Sequence, residues 1–269
     1  MKKSSQIDWT EKEISSSALK AAKSSTRDFL WYYDKPKTSA SHFDFGNAVE
    51  LWLIDKPSFH EKVAILDESK RPFPDKNYQT RANKDWKDEF YEANADKYII
   101  PSIGSDSFAT CMELEQLAMM HPAYDMLLGK NYQDPFRWTC PVTGLKRYAR
   151  TDLFDAENGI IIDIKTDGKG DFQKACVNND YLLQAFDQII GAVESGKMAE
   201  VNEYFWFVLS KEEPYFVDVY KLNIEDTLRV EESYWSTLRR LAADLKGDPS
   251  AIVWHEAPIT MFKIPGYYK

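Results

Sequence analysis

The stretch FRWTCPVTGLKRYARTDLFDAENGIIIDIKTD, residues 136–167, decides the fold of this 269-residue chain. Turn-forming residues occupy positions 141–144 and 157–159, and the segments that flank them are rich in β-branched and aromatic residues. Such a pattern is typical of a β-hairpin or a meander. We therefore predict that the centre of the chain is a sheet of sequentially connected strands.

Side-chain alternation in this stretch predicts which residues share a face of the sheet, because successive side chains on a strand point to opposite faces. Asp163 and Lys165 then lie on one face, about 7 Å apart by the rise of a strand. By the same rule Tyr148, Arg150 and Asp152 lie together. If a hairpin joins the two segments, Asp152 lies across from Asp163, and their carboxylates can share metal ions.

The rest of the chain alternates between helical and strand patterns. Residues 203–210 and 214–222 are predicted to be antiparallel strands, whereas the polar stretch 57–104 is predicted to be irregular. Apolar residues recur at helical spacing in the segments 15–33, 43–54, 106–128, 171–195 and 224–245. These elements predict an α/β fold with a mixed central β-sheet flanked by helices. No linker is long enough to divide the chain, so we expect one domain over residues 1–269.

Composition restricts the class of protein further. No apolar run is long enough to span a bilayer, and no apolar stretch follows the first lysines, so we expect a cytoplasmic protein. Three widely spaced cysteines form no recognisable metal-binding set. The net charge of −9 is unusual for a nucleic-acid-binding protein, which is expected to be basic. A carboxylate cluster that holds metal ions is nevertheless acidic by design, and the ions invert its local charge.

The acidic pair and the lysine suit one kind of chemistry in particular. Carboxylate oxygens favour Mg²⁺ or Mn²⁺, and such ions activate water for phosphodiester hydrolysis. Lys165, beside Asp152 and Asp163, can orient that water or offset phosphate charge. Glu50, in the middle of an otherwise apolar helical segment, is the natural third acidic ligand. An ion pair beside a turn is the alternative reading, since an Asp-x-Lys pattern is frequent by chance.

Four segments of the chain, in order, resemble the nuclease domain of the RecE (exodeoxyribonuclease VIII) family. This family is a branch of the PD-(D/E)XK superfamily, which also includes phage lambda exonuclease and RecB-type nucleases. The segments are ISSSALKAAKSSTRDFLWYY, HFDFGNAVELWLIDKPSF, ARTDLFDAENGIIIDIKTD and DYLLQAFDQIIGA. Two positions depart from the family pattern: Glu50 stands in place of a histidine, and Gln188 in place of a tyrosine.

The resemblance implies a role for individual residues. Lys165 would be the catalytic lysine, with Asp152, Asp163 and Glu50 as catalytic metal ligands for Mg²⁺ or Mn²⁺. The backbone carbonyl of Ile164 would complete the metal site. The residues implied in DNA binding are Arg150, Gln184 and Thr166. The domain would divide into an N-terminal helical segment (1–45), a catalytic sheet core (130–222), and a C-terminal helix and tail (223–269).

The resemblance also implies a PD-(D/E)XK nuclease core and a metal-dependent exonuclease that acts on the ends of linear double-stranded DNA. Digestion in the 5′ to 3′ direction would leave 3′ single-stranded tails for a strand-annealing or recombination protein. A homo-oligomeric ring, trimer or tetramer, and a phage or prophage origin in a bacterial host are expected too. The alternatives are a repair or restriction endonuclease on the same core and an inactive module that binds DNA ends.

Overall fold

The computed structural model of the protein describes residues 3–35, 41–76, 78, 80–132, 134–168 and 172–247. The helices within these ranges are α1 (Ser16–Ser24), α2 (Thr26–Asp34), α3 (Ser41–Ile54), α4 (Lys56–Lys62), α5 (Arg81–Ala93), α6 (Phe108–Met120), α7 (Phe172–Asn178), α8 (Tyr181–Glu194) and α9 (Leu228–Lys246). The strands are β1 (Ile14–Ser15), β2 (Val63–Leu66), β3 (Tyr98–Pro101), β4 (Asn131–Tyr132), β5 (Phe136–Thr139), β6 (Lys146–Ala149), β7 (Leu153–Asp155), β8 (Ile160–Asp167), β9 (Glu203–Ser210) and β10 (Val217–Leu222).

The central sheet has five strands in the order β10-β9-β8-β7-β4. β8 and β9 are parallel, and the other neighbours in this sheet are antiparallel. The described residues also form a three-stranded sheet, β1-β6-β5, and a parallel pair, β2-β3. The predicted fold class, an α/β protein with a mixed sheet and flanking helices, is confirmed.

Apolar side chains from the two faces of the central sheet pack against different helices. Ile162 and Ile164 of β8 belong to a buried cluster with residues of α3 and α6. Ile161, on the opposite face, belongs to a cluster with residues of α7 and α8. A further cluster joins α1, α2, α8 and α9. The apolar alternation of β8 thus holds α3 and α8 on opposite sides of the same strand.

Two strand pairings predicted from the sequence are present. β7 and β8 form an antiparallel hairpin in which Leu153 pairs with Ile162. β9 and β10 are antiparallel neighbours, as expected for residues 203–210 and 214–222.

Two predictions about the N-terminal half are wrong. The segment 15–33 is two helices instead of one, because Ser25 adopts an extended backbone and its side chain caps α2 by accepting from the Asp28 N–H. The stretch 57–104 is not irregular, since it contains α4, β2, α5 and β3. Its parallel pair is only four residues long on each side, too short to give a clear alternating pattern.

The C-terminal helix α9 begins after a short 3₁₀ turn at Ile224–Thr227 and agrees with the predicted helix at 224–245. The tail 248–269 lies outside the described residues. No helix in the described part of the chain is both long and apolar enough to cross a membrane.

Candidate active site

The candidate site lies where β8 extends past its hairpin partner. β7 pairs with only three residues of β8, whereas β9 pairs with all eight. The Ile164 N–H, just beyond the hairpin, donates to Asp152 Oδ2 at 2.7 Å. Because the N–H and C=O of one residue point to the same side of a strand, the Ile164 carbonyl also faces this gap. Asp152 therefore takes the place of a ladder partner, and its carboxylate meets β8 beside Asp163.

A cavity of about 500 Å³ opens at this edge of the sheet. Its lining residues come from β1, α1, α2, α3, β6 and the loop after it, β8 and α8. They are Ser15, Ser16, Ser17, Tyr32, Glu50, Tyr148, Arg150, Asp152, Asp163, Ile164, Lys165 and Gln184. Of the site residues predicted from the sequence, all but Thr166 line this cavity.

Thr166 lies on the other face of β8, as strand alternation requires. Its Oγ1 is 3.2 Å from the position that a Cβ on Gly46 of α3 would occupy. The hydroxyl thus packs against α3 instead of lining the cavity, and the predicted contact of Thr166 with DNA stays a prediction.

Asp163 is almost fully buried, and its two carboxylate oxygens have different surroundings. Oδ1 accepts from the side-chain amides of Gln184, at 3.3 Å, and Gln188, at 3.5 Å. Oδ2 contacts the Lys165 ammonium in an ion pair and receives no amide donor. A carboxylate oxygen has two lone pairs, so Oδ2 can accept from Lys165 and still bind a cation.

Like charges meet at this cavity. Burial, together with the charges of Glu50 and Asp163, raises the pKa of Asp152 well above its ordinary value. Burial acts to lower the pKa of Lys165, but the carboxylates of Asp163 and Asp152 outweigh it and raise that pKa. Two cationic side chains, Lys165 and Arg150, line the cavity with three carboxylates, so a bound cation would further offset the repulsion between these carboxylates. Carboxylates with a backbone carbonyl are the donor set that Mg²⁺ or Mn²⁺ prefers.

These carboxylates do not yet converge on one point. Among the residues that the structure describes, no three His, Cys, Asp or Glu side chains are gathered closely enough to hold a metal ion. Asp163 is turned to Lys165 and Asp152 to the Ile164 N–H. The donor set therefore fits a divalent cation in its chemistry, and binding would require these carboxylates to share oxygens that now contact protein groups.

Several cavity residues were not assigned to the site from the sequence. Ser15, Ser16 and Ser17 are among them, and Ser15 caps α1 by accepting from the Ala18 N–H at 3.2 Å. The N-terminus of α1 therefore lies at the cavity. Tyr32 of α2 also lines the cavity, and nothing in the sequence around it predicts this position.

The position of two further side chains next to the cavity, Lys20 and Tyr204, could not be predicted from the sequence. Lys20 donates to Gln184 Oε1 and to the Asn179 carbonyl, each at 2.9 Å. Burial and the neighbouring charge of Lys165 lower the pKa of Lys20 to about 8. Tyr204 of β9, which is fully buried, donates to Gln188 Oε1 at 2.5 Å. Both residues thus hold the amides that contact Asp163.

Comparison with known proteins supports the fold. No family model matches the chain, and no curated protein does. A solved structure from Eubacterium rectale, provisionally assigned as an exonuclease, covers 92% of this chain and 91% of its own, at 11% identity and a TM-score of 0.57. An alkaline exonuclease from Laribacter hongkongensis aligns over 71% of this chain and 94% of its own, at 12% identity and a TM-score of 0.30. The first similarity shows that the chain shares the fold of the Eubacterium rectale protein.

Proposed function

We propose that the protein is a divalent-metal-dependent DNA exonuclease of the PD-(D/E)XK type, similar to the RecE family. The observation that carries this proposal is the meeting of Glu50, Asp152 and Asp163 with Lys165 around one cavity. The shared fold with a protein assigned as an exonuclease agrees with it. The ions would be Mg²⁺ or Mn²⁺, held by these three carboxylates and the Ile164 carbonyl.

Each group around the cavity has a task in hydrolysis of a phosphodiester. When bound, the metal ion lowers the pKa of water and offsets charge on the reacting phosphate. Lys165 holds its ammonium group at Asp163, from which it can donate to a phosphate oxygen or to the attacking water. Arg150 is exposed at the cavity and can pair with a phosphate next to the scissile bond. The N-terminus of α1 also favours an anion there.

The resemblance to the RecE family also leads us to propose a substrate, a direction of digestion, a partner and an oligomeric state. The enzyme would digest linear duplex DNA in the 5′ to 3′ direction and leave 3′ tails for a strand-annealing or recombination protein. It would act as a ring-shaped homo-oligomer, a trimer or tetramer, in the cytoplasm of a bacterial host, encoded by a phage or prophage.

Incubation of the purified protein with Mg²⁺ and either linear or covalently closed circular duplex DNA tests the activity. We expect loss of the linear substrate alone. Lys165→Ala and Asp163→Ala should each lower the rate by about 10²- to 10³-fold, because each removes a group that faces the developing charge. Lys197→Ala is a matched control, since Lys197 also forms an ion pair with an aspartate, Asp134, but does not line the cavity.

The other outcomes separate the alternatives. Nicking of the closed circle would indicate an endonuclease on the same core. Cleavage of neither substrate, with retention of linear DNA on the protein, would leave a module that binds DNA ends. Full activity of both Lys165→Ala and Asp163→Ala would show that the assignment of the site is wrong, whatever the reaction.

A further inference from the structure

Gln188 occupies the centre of the polar contacts behind the cavity. It is fully buried on α8, one helical turn after Gln184. Its Nε2 donates to the Arg150 carbonyl at 2.8 Å and approaches Asp163 Oδ1 at 3.5 Å, while its Oε1 accepts from the Tyr204 hydroxyl at 2.5 Å. One amide therefore contacts both segments that carry the proposed ligands, β8 and the loop that leads to Asp152.

These partners allow the Gln188 amide only one orientation. If it were reversed, Oε1 would face the Arg150 carbonyl and the Asp163 carboxylate, which are acceptors with no proton to give. The Tyr204 hydroxyl reinforces the observed orientation, because it donates to Oε1. Burial raises the pKa of Tyr204 well above its ordinary value, so this hydroxyl keeps its proton.

Gln184 is held in the same manner from the other side. Its Oε1 accepts from Lys20 Nζ at 2.9 Å, and its Nε2 donates to Asp163 Oδ1 at 3.3 Å. Both amides thus direct their donors to Oδ1 of Asp163. The second oxygen, Oδ2, contacts the Lys165 ammonium alone and so keeps a lone pair for another cation.

We propose that Tyr204 and Gln188 are positioning residues, which hold Asp163 so that Oδ2 is presented to a divalent cation at the cavity. This inference rests on the proposed metal-dependent nuclease and adds two residues to it. Neither acts on substrate: Tyr204 works through Gln188, and Gln188 works through Asp163 and the Arg150 backbone. Loss of a positioning group behind a metal ligand typically costs about 10- to 100-fold in metal affinity or activity. Because Tyr204 and Gln188 contact neither the substrate nor Lys165, we expect their loss to lower the affinity for the ion.

The test measures Mn²⁺ binding to the full-length protein by electron paramagnetic resonance, together with hydrolysis of linear duplex DNA over a range of Mn²⁺ concentrations. Tyr204→Phe removes only the hydroxyl that orients Gln188. Tyr220→Phe is the matched control, because Tyr220 lies on the same sheet and its hydroxyl contacts Asp218. Thermal unfolding shows that each variant is folded.

For Tyr204→Phe we expect the dissociation constant of Mn²⁺ to rise about tenfold, with a rate at saturating Mn²⁺ within about twofold of wild type. Tyr220→Phe should match wild type in both measurements. Because the two residues act through one amide, Gln188→Met combined with Tyr204→Phe should bind Mn²⁺ no more weakly than Gln188→Met alone.

Equal Mn²⁺ affinity of folded Tyr204→Phe and Tyr220→Phe, in an active protein, would overturn the positioning role and leave the proposed function intact. A loss of rate in Tyr204→Phe that saturating Mn²⁺ does not restore would overturn it as well. Failure of the proposed function itself has a different signature: wild type and Asp163→Ala would then bind Mn²⁺ equally poorly, which also overturns the positioning role.

Discussion

Two buried aspartates, Asp187 on α8 and Asp163 on β8, make a natural comparison, since each forms an ion pair but their remaining contacts differ. Asp187 accepts from Arg147 at 2.7 Å and from the Tyr234 hydroxyl at 2.9 Å on one oxygen, and from the Ser16 hydroxyl at 2.7 Å on the other. Asp163 has two long amide contacts on Oδ1, and only Lys165 at Oδ2.

The difference separates a structural carboxylate from one that is available to a ligand. All the contacts of Asp187 are short and come from protein groups, and Arg147, its partner, is fully buried. Lys165, the partner of Asp163, borders the cavity and keeps a side-chain exposure of 15%. The network of Asp187 holds α1, β6, α8 and α9 together.

The largest effect is expected from Asp187→Asn. It removes the countercharge of a fully buried arginine, Arg147, and should lower the free energy of unfolding by about 3–5 kcal/mol. Denaturant unfolding measures this change. The protein that remains folded should keep its Mn²⁺ dependence, so a stable Asp187→Asn variant with altered metal binding would break the distinction between the two aspartates.

Next in size is Asp163→Asn, the same substitution at the cavity. We expect the rate of DNA hydrolysis to fall at least about hundredfold, because a proposed metal ligand is lost; this corresponds to about 2.7 kcal/mol of activation free energy. The free energy of unfolding should change by less than about 1 kcal/mol, since the substitution also removes repulsion between Asp163 and Asp152. Strong destabilisation with retained activity would reverse the two roles.

Tyr234→Phe should have the smallest effect and sharpens the contrast with Tyr204→Phe. It removes one hydrogen bond to the Asp187 carboxylate and should cost about 2 kcal/mol of stability. The Mn²⁺ concentration at half-maximal activity should stay unchanged, because Tyr234 contacts Asp187 and not the amides that hold Asp163. A shift in that concentration comparable to the one expected for Tyr204→Phe would show that the two networks are coupled.

Much of the site could be predicted because it depends on local geometry. The period of two along a strand was sufficient to put Asp163 and Lys165 on one face, and the turn residues at 157–159 were sufficient to bring Asp152 beside them. Glu50 stood out as an acidic residue in an apolar helix, and α3 does bring it to the same cavity. The assignment of these residues as metal ligands and catalytic groups stays a prediction.

The contacts that hold these residues could not be predicted, because they join positions far apart in the chain. Arg147 and Arg150 belong to the same short segment, but the first is fully buried against Asp187 and the second is exposed at the cavity. Nothing in the segment reveals which helix covers it. In the sequence, Gln188 is recognisable only as a departure from the family pattern, and nothing there predicts its contact with the Tyr204 hydroxyl.

By itself, the sequence determined the mixed α/β character, the central hairpin, and the placement of Asp163 and Lys165 on one face of a strand near Asp152. These features follow from side-chain alternation and from turn residues within short segments. Only the tertiary structure decided the break between α1 and α2, the position of Ser15 at the cavity, the partner of each buried aspartate, and the contact of Tyr204 with Gln188. Those features depend on which helices pack on which face of β8, and packing is set by the whole core.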